Sequence, residues 1–289
     1  MKHHEDGLWL YARCAGHAEK PAILDAVMRP LDSTEIPTVE RLRSAGSVFA
    51  EDEARVLHDA AASGADLAAM LERRVRGEPL EHVVGWAEFD GLRVAVDPGV
   101  FVPRRRTEFL VRQAASRCRP GGVVVDMCCG SGAVGLALAT AFGGRIELHA
   151  TDVDPIAVSC ARRNLAAIGA LVYEGDLDAP LPDRLAGSVD VIVANVPYVP
   201  RDEIALMPPE ARLHEPSTAL DGGIDGLDVL RRLAARAPRW LPPGGHLLIE
   251  TSERQADAAA EAAARHGLTP TLETSDELGT TILIGSRAA

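Results

Sequence analysis

The chain has 289 residues, of which 47% are apolar, 25% charged and 4% aromatic, with a formal net charge of −12. That composition supports one large or two modest domains around a sizeable core, and it excludes collagen-like, coiled-coil-array and disordered chains. The acidic balance disfavours a DNA-coating role, which rests on Lys and Arg; no apolar run reaches the roughly 18 residues of a membrane span; and the five cysteines lack a framework spacing, which reads as reduced thiols in the cytoplasm.

Residues 1–36 read as an appended arm. Its opening, Met1-Lys2-His3-His4-Glu5-Asp6, lacks the apolar stretch of a signal peptide, and Leu8-Trp9-Leu10-Tyr11 reads as a short packed segment. Residues 37–83 read as a small helical domain suited to docking a substrate. Val39, Leu42, Val48 and Phe49, then Ala54, Leu57, Ala61, Leu67, Met70, Leu71 and Val75, fall mostly at helical spacing, and Gly46 and Ser63-Gly64 divide the run into two or three helices. Residues 84–103 read as a linking β-hairpin: residues 86–89 and 92–96 alternate apolar with polar around Asp90-Gly91, a strong hairpin signal.

Residues 104–289 alternate strand with helix. Strands are expected at 123–125, 146–150, 171–173, 189–194 and 245–250, and helices at 133–141, 155–165, 227–241 and 253–266. Asp154 is the expected N-cap of the second helix, with Pro155 at its first position. A long loop covers 196–224. Two late strands, 269–274 and 280–285, have no helix between them. The pattern implies an α/β domain with an open, mostly parallel sheet and an antiparallel finish.

Between the first strand and the first helix stands Asp126-Met127-Cys128-Cys129-Gly130-Ser131-Gly132-Ala133-Val134-Gly135. Glycines let the backbone turn tightly and approach a ligand, and the helix N-terminus offers unpaired N–H groups. Asp152, at the end of the second strand, can accept hydrogen bonds from a ribose diol. Two cofactors fit this much: a nicotinamide dinucleotide, through Gly130-x-Gly132-x-x-Gly135, and S-adenosylmethionine, for which an acid four residues before the glycine is typical and Asp126 supplies it. No Cys/His spacing makes a zinc site, and Cys128-Cys129 reads as small packing beneath the loop.

The fourth strand ends in Asn195-Val196-Pro197-Tyr198. This resembles the Asn-Pro-Pro-Tyr tetrad of methyltransferases acting on planar amino groups. Such a nitrogen has a delocalised lone pair and is a poor nucleophile. The Asn195 side-chain oxygen and the carbonyl of residue 196 can accept its two N–H bonds, and Tyr198 can stack on the planar group, so the gain is mainly positioning.

Together with these motifs, several segments resemble the protein glutamine N-methyltransferases that modify peptide chain release factors. They include Gly77-Glu78-Pro79-Leu80-Glu81-His82, Val102-Pro103-Arg104-Arg105-Arg106-Thr107-Glu108, Gly175-Asp176, Glu215-Pro216 and Ala219-Leu220-Asp221-Gly222-Gly223. The resemblance covers about residues 38–287. It implies a class I, Rossmann-like methyltransferase domain with a doubly wound seven-stranded sheet, S-adenosylmethionine as cofactor, and a protein glutamine as acceptor. It implies that Gly130 and Gly132 approach the methionine part, that Asp152 meets the ribose and Asp176 the adenine amine, and that Asp126 orients the loop or the ammonium. Cys128, Val153, Leu177 and Asn195 complete the cofactor site, and Asn195, Val196, Pro197 and Tyr198 form the acceptor site. Two departures stand out: Val196 replaces the first Pro of the tetrad, and Arg105-Arg106 replaces Pro-Asp. They mark a divergent branch. Other expectations stay open: a small amide or amine metabolite as acceptor, an exocyclic nucleobase amine, which the net charge disfavours, or a silent cofactor-binding module. Glu215 reads equally as an order-giving residue of the loop and as a surface charge; His82 and His214 read as structural.

Overall fold

The computed structural model describes residues 31–288, so most of the expected arm, including residues 8–11, lies outside the described residues. Helices α1 (Ile36–Ser44), α2 (Ala50–Ala60), α3 (Gly64–Val75) and α4 (Leu80–Val84) pack Val39, Leu42, Ala54, Leu57, Leu71 and Val83 into a core of their own. Pro37 falls within the first turn of α1, where its missing N–H costs no hydrogen bond. Ser63 caps α3 by accepting the Asp66 N–H. Val48 and Phe49 differ from the expected pattern. They lie in or beside the α1–α2 connection, which Gly46 opens at φ +96°, and are 85% and 69% exposed.

Strands β1 (Trp86–Phe89) and β2 (Leu92–Ala95) form the hairpin, with Asp90 and Gly91 both at positive φ, as the tight turn requires. A short turn at Arg105–Thr107 leads into α5 (Glu108–Ala115). The sheet then begins with β3 (Val123–Met127), β4 (Glu147–Asp152), β5 (Leu171–Glu174) and β6 (Val191–Ala194), with α6 (Ala133–Ala141) and α7 (Pro155–Leu165) as the first crossovers. The expected loop 196–224 carries two short helices, α8 (Pro209–His214) and α9 (Ser217–Leu220), each too brief to show a periodicity in the sequence. The chain finishes with α10 (Asp228–Trp240), β7 (His246–Thr251), α11 (Ala256–Arg265), β8 (Leu268–Ser275) and β9 (Thr280–Arg287).

Strand order is β5-β4-β3-β6-β7-β9-β8, parallel up to β7 and antiparallel at the β7–β9 and β9–β8 pairs. The central strands are buried on both faces. Alternate residues feed two layers: Val125, Met127, Ile192 and Leu247 pack with α10 and α11, while Val124, Val191, Val193 and Leu248 pack with α5, α6 and α7. The order reverses between β3 and β6. A crevice opens at that point beyond the strands' carboxyl ends, where ligands bind in open α/β sheets.

Candidate active site

A cavity of about 490 Å³ occupies this crevice. Of the sequence-derived candidates, Asp126, Cys128, Gly130, Asp152, Val153, Asp176, Leu177, Asn195, Val196, Pro197 and Tyr198 all line it. Gly132 does not. It stands at the start of α6 with φ +78°, and a Cβ there would sit 3.0 Å from Leu165 and 3.3 Å from Ala161 of α7. Its lack of a side chain serves the approach of α6 to α7, and its neighbours Ser131 and Ala133 line the cavity.

One end of the cavity is built from turns that follow β3, β4 and β5. Asp126 is 2% exposed and accepts the Gly135 N–H at 2.9 Å; burial pushes its carboxyl up to about 7. Asp152 accepts the N–H of Gly130 at 2.8 Å on one oxygen and that of Asp154 at 2.9 Å on the other. Burial raises this carboxyl too, and the backbone donors of Asp154, Gly130 and Val153 oppose the rise. Asp154 in turn caps α7 through the Ile156 N–H. The Asp152 carboxylate keeps lone-pair capacity beyond these backbone donors. Cys128 and Leu177 both hold positive φ, a conformation that costs a non-glycine residue free energy and clusters at ligand sites. Burial pushes the Cys128 and Cys129 thiols up, which suits packing beneath the loop and not nucleophilic chemistry. Asp176 is ion-paired with Arg232 of α10, which also lines the cavity, and Arg236 lies 3.7 Å away. A Cβ added at Gly130 would meet nothing within 4 Å, so a ligand has room to approach that backbone. An anchored acid with spare acceptor capacity, an open glycine backbone and a second acid at the β5 end fit the ribose, methionine and adenine parts of S-adenosylmethionine.

The other end is assembled from distant segments. The Asn195 Nδ2 donates to Thr107 Oγ1 at 3.3 Å, which leaves the Asn195 oxygen as an acceptor. The Tyr198 hydroxyl accepts from Arg106 Nη2, and Arg106 Nε donates to Glu250 at 3.1 Å. Burial pushes the Tyr198 phenol up and keeps it protonated. The Tyr198 carbonyl accepts from Gln255 at 3.0 Å. Gly226, at φ +78°, presses on the same carbonyl: a Cβ there would lie 2.2 Å from it. Glu215 is buried, accepts the Val102 N–H at 3.2 Å and pairs with Arg104; burial raises its carboxyl and Arg104 opposes the rise. Of its two open readings, the ordering of the loop over the cavity holds, and the surface charge does not. His82 bonds the Val100 carbonyl at 2.8 Å, a structural contact. Asn164 of α7 clamps the hairpin to the glycine loop, with Nδ2 donating to the Ala95 and Ser131 carbonyls at 2.9 and 2.8 Å.

Sequence reasoning missed Asn164, Glu250, Gln255 and Arg232, which no motif flags. Thr107 and Arg106 were within the Val102–Glu108 string, yet nothing local assigned them partners.

The Methyltransferase small domain family matches residues 91–223. The release factor glutamine methyltransferase of Geobacter sulfurreducens is 36% identical over 220 residues, covering 75% of this chain and 76% of its own. That of Streptomyces coelicolor is 42% identical over 190 residues, covering 64% and 67%. Among solved structures, a methyltransferase from Pyrococcus furiosus superposes with a TM-score of 0.52 at 19% identity, over 69% of this chain and 90% of that one, a likeness of fold.

Proposed function

The chain belongs to the release factor glutamine methyltransferase family, and on that premise we propose that its cavity methylates the side-chain amide nitrogen of a glutamine in a peptide chain release factor. The cofactor is S-adenosylmethionine, and the sheet, with an antiparallel strand inserted before its last edge, departs from the all-parallel dinucleotide arrangement.

When bound, S-adenosylmethionine supplies an electrophilic methyl on a sulfonium leaving group. The chain's residues bind, orient and exclude water. Thr107 takes the Asn195 amide hydrogen, so the Asn195 oxygen faces the acceptor as a hydrogen-bond acceptor. With the Val196 carbonyl it can hold both hydrogens of a primary amide and fix the nitrogen in one place, which is most of what a weak nucleophile needs. Pro197 limits the backbone's freedom just after that carbonyl. Tyr198, anchored at its hydroxyl by Arg106, offers its ring to the planar amide. Glu215 and Arg104 tie the 209–221 segment over the site, which keeps water from the reacting nitrogen. Helices α1–α4 lie beside this end: Arg74 reaches Glu210 of α8 at 3.5 Å, and the exposed Val48, Phe49, Leu206 and Leu213 offer apolar contacts to a protein substrate.

The observation that carries the reading is the oriented Asn195 amide. A single-turnover panel tests it, with S-adenosylmethionine and, in separate reactions, a release factor, an adenine-containing DNA duplex and free glutamine. Transfer to the release factor alone supports the reading. Transfer to DNA or to free glutamine alone moves the acceptor to a nucleobase or to a small amide.

A further inference from the structure

Resting on that acceptor reading, we propose that Arg106 is a substrate-recognition residue, donating a hydrogen bond to a main-chain carbonyl of the acceptor protein beside the methylated glutamine. Two edges of its guanidinium are already fixed. Nε donates to Glu250, whose side chain is 1% exposed and cannot swing away, and Nη2 donates to the Tyr198 hydroxyl. Nη1 has no hydrogen-bond partner among the described residues, and the side chain lines the cavity while remaining 42% exposed. A planar fork held at two corners presents its third corner with little entropy left to lose.

Depth says what that corner meets. Thr107, the next residue, is 3% exposed and holds Asn195. One step along the chain therefore leads from the floor, where the acceptor amide is held, to the rim, where the acceptor's main chain must pass. Charge says what kind of oxygen it is. Of the arginines in this string, the two that line the cavity are each paired with a buried carboxylate, Arg106 with Glu250 and Arg104 with Glu215, so they offer donors whose charge is already matched. Such a rim suits a neutral peptide carbonyl over a free carboxylate, hence a peptide-bonded glutamine over the free amino acid. The contact is specific to this chain's string: where Arg106 stands, the resembled pattern has an Asp, which has no hydrogen to donate when ionised.

The test uses the full chain with S-adenosylmethionine and a release factor. Arg106→Gln should raise the acceptor KM about tenfold or more, with cofactor affinity within about twofold of wild type. Because Arg106→Gln leaves Glu250 buried without its partner, the double variant Arg106→Gln/Glu250→Gln keeps a neutral hydrogen-bonded pair and should show the same rise in KM. Tyr198→Phe keeps the ring and cuts only the Arg106 link to it, so its acceptor KM should rise less than that of Arg106→Gln. An unchanged acceptor KM in the double variant overturns the proposal. So does a loss confined to kcat and matched by Tyr198→Phe, which would reduce Arg106 to a prop for the tyrosine. Wild-type enzyme that leaves the release factor unmethylated would instead bring down the acceptor reading, and this inference with it.

Discussion

The two ends of the cavity are built by different means. At the cofactor end, the two carboxylates nearest the glycine loop are held by backbone N–H donors, Gly135 to Asp126 across 9 residues and Gly130 to Asp152 across 22, while Asp176 pairs with the Arg232 side chain across 56. At the acceptor end they are held by side chains from remote segments: Thr107 to Asn195 across 88 residues, Arg106 to Tyr198 across 92, Arg104 to Glu215 across 111 and Arg106 to Glu250 across 144. Backbone-held groups follow from turn chemistry alone. Side-chain clamps depend on each partner's identity, so the acceptor end is where one substitution can change specificity while the fold persists.

The sharpest way to separate the ends is Asn195→Ala. It should lower kcat on the order of 100-fold or more while cofactor affinity stays within about threefold; titration calorimetry beside steady-state kinetics reads both. The converse is Asp152→Ala, which should weaken S-adenosylmethionine binding by roughly tenfold to 100-fold and leave the acceptor KM unchanged at saturating cofactor. An equal loss in both constants for either variant would break the division.

A third prediction concerns pH. The Asp126 carboxyl is raised in the fold from 3.8 to about 7. The folded chain therefore binds this proton more tightly than the unfolded one. The associated stability is fully present below the unfolded value and is lost as pH rises through the folded one. Asp126→Asn keeps an oxygen for the Gly135 N–H and cannot ionise. Its melting temperature should gain on the wild type as pH rises from about 4 to 7, and a constant difference across that window would contradict the burial argument. The smallest effect is expected for Val196→Pro, which restricts φ at a buried position and leaves the carbonyl in place. Turnover should stay within about twofold of wild type or rise modestly. A collapse in turnover would show that the Val196 N–H is needed.

Legibility in the sequence followed the same divide. The strand–turn–helix rhythm, the Asp154-Pro155 cap, the Asp90-Gly91 hairpin and the glycine loop are local features, and each is where the periodicity or turn chemistry places it. Gly132 shows what motif reading leaves out: its spacing says nothing of Leu165 and Ala161, which leave no room for a Cβ there. The break at Gly46 was legible, but the apolar spacing of Val48 and Phe49 carries no sign that the connection runs on to Ala50 and leaves both exposed. The helices within residues 196–224 were hidden because their stability comes from contacts such as Glu215 with Val102 and Arg104, not from a repeat of their own. Glu250 and Gln255 carry no motif at all; only the fold brings them to Arg106 and Tyr198.

The most direct test of the account is where the methyl goes. A release factor incubated with the full chain and isotopically labelled S-adenosylmethionine, then digested and fragmented in a mass spectrometer, should carry a single labelled methyl on the side-chain nitrogen of one glutamine, and the Asn195→Ala protein should leave that glutamine unlabelled over the same time. Label on a carboxylate, a lysine or the cofactor-binding chain itself, or full labelling by Asn195→Ala, would contradict it.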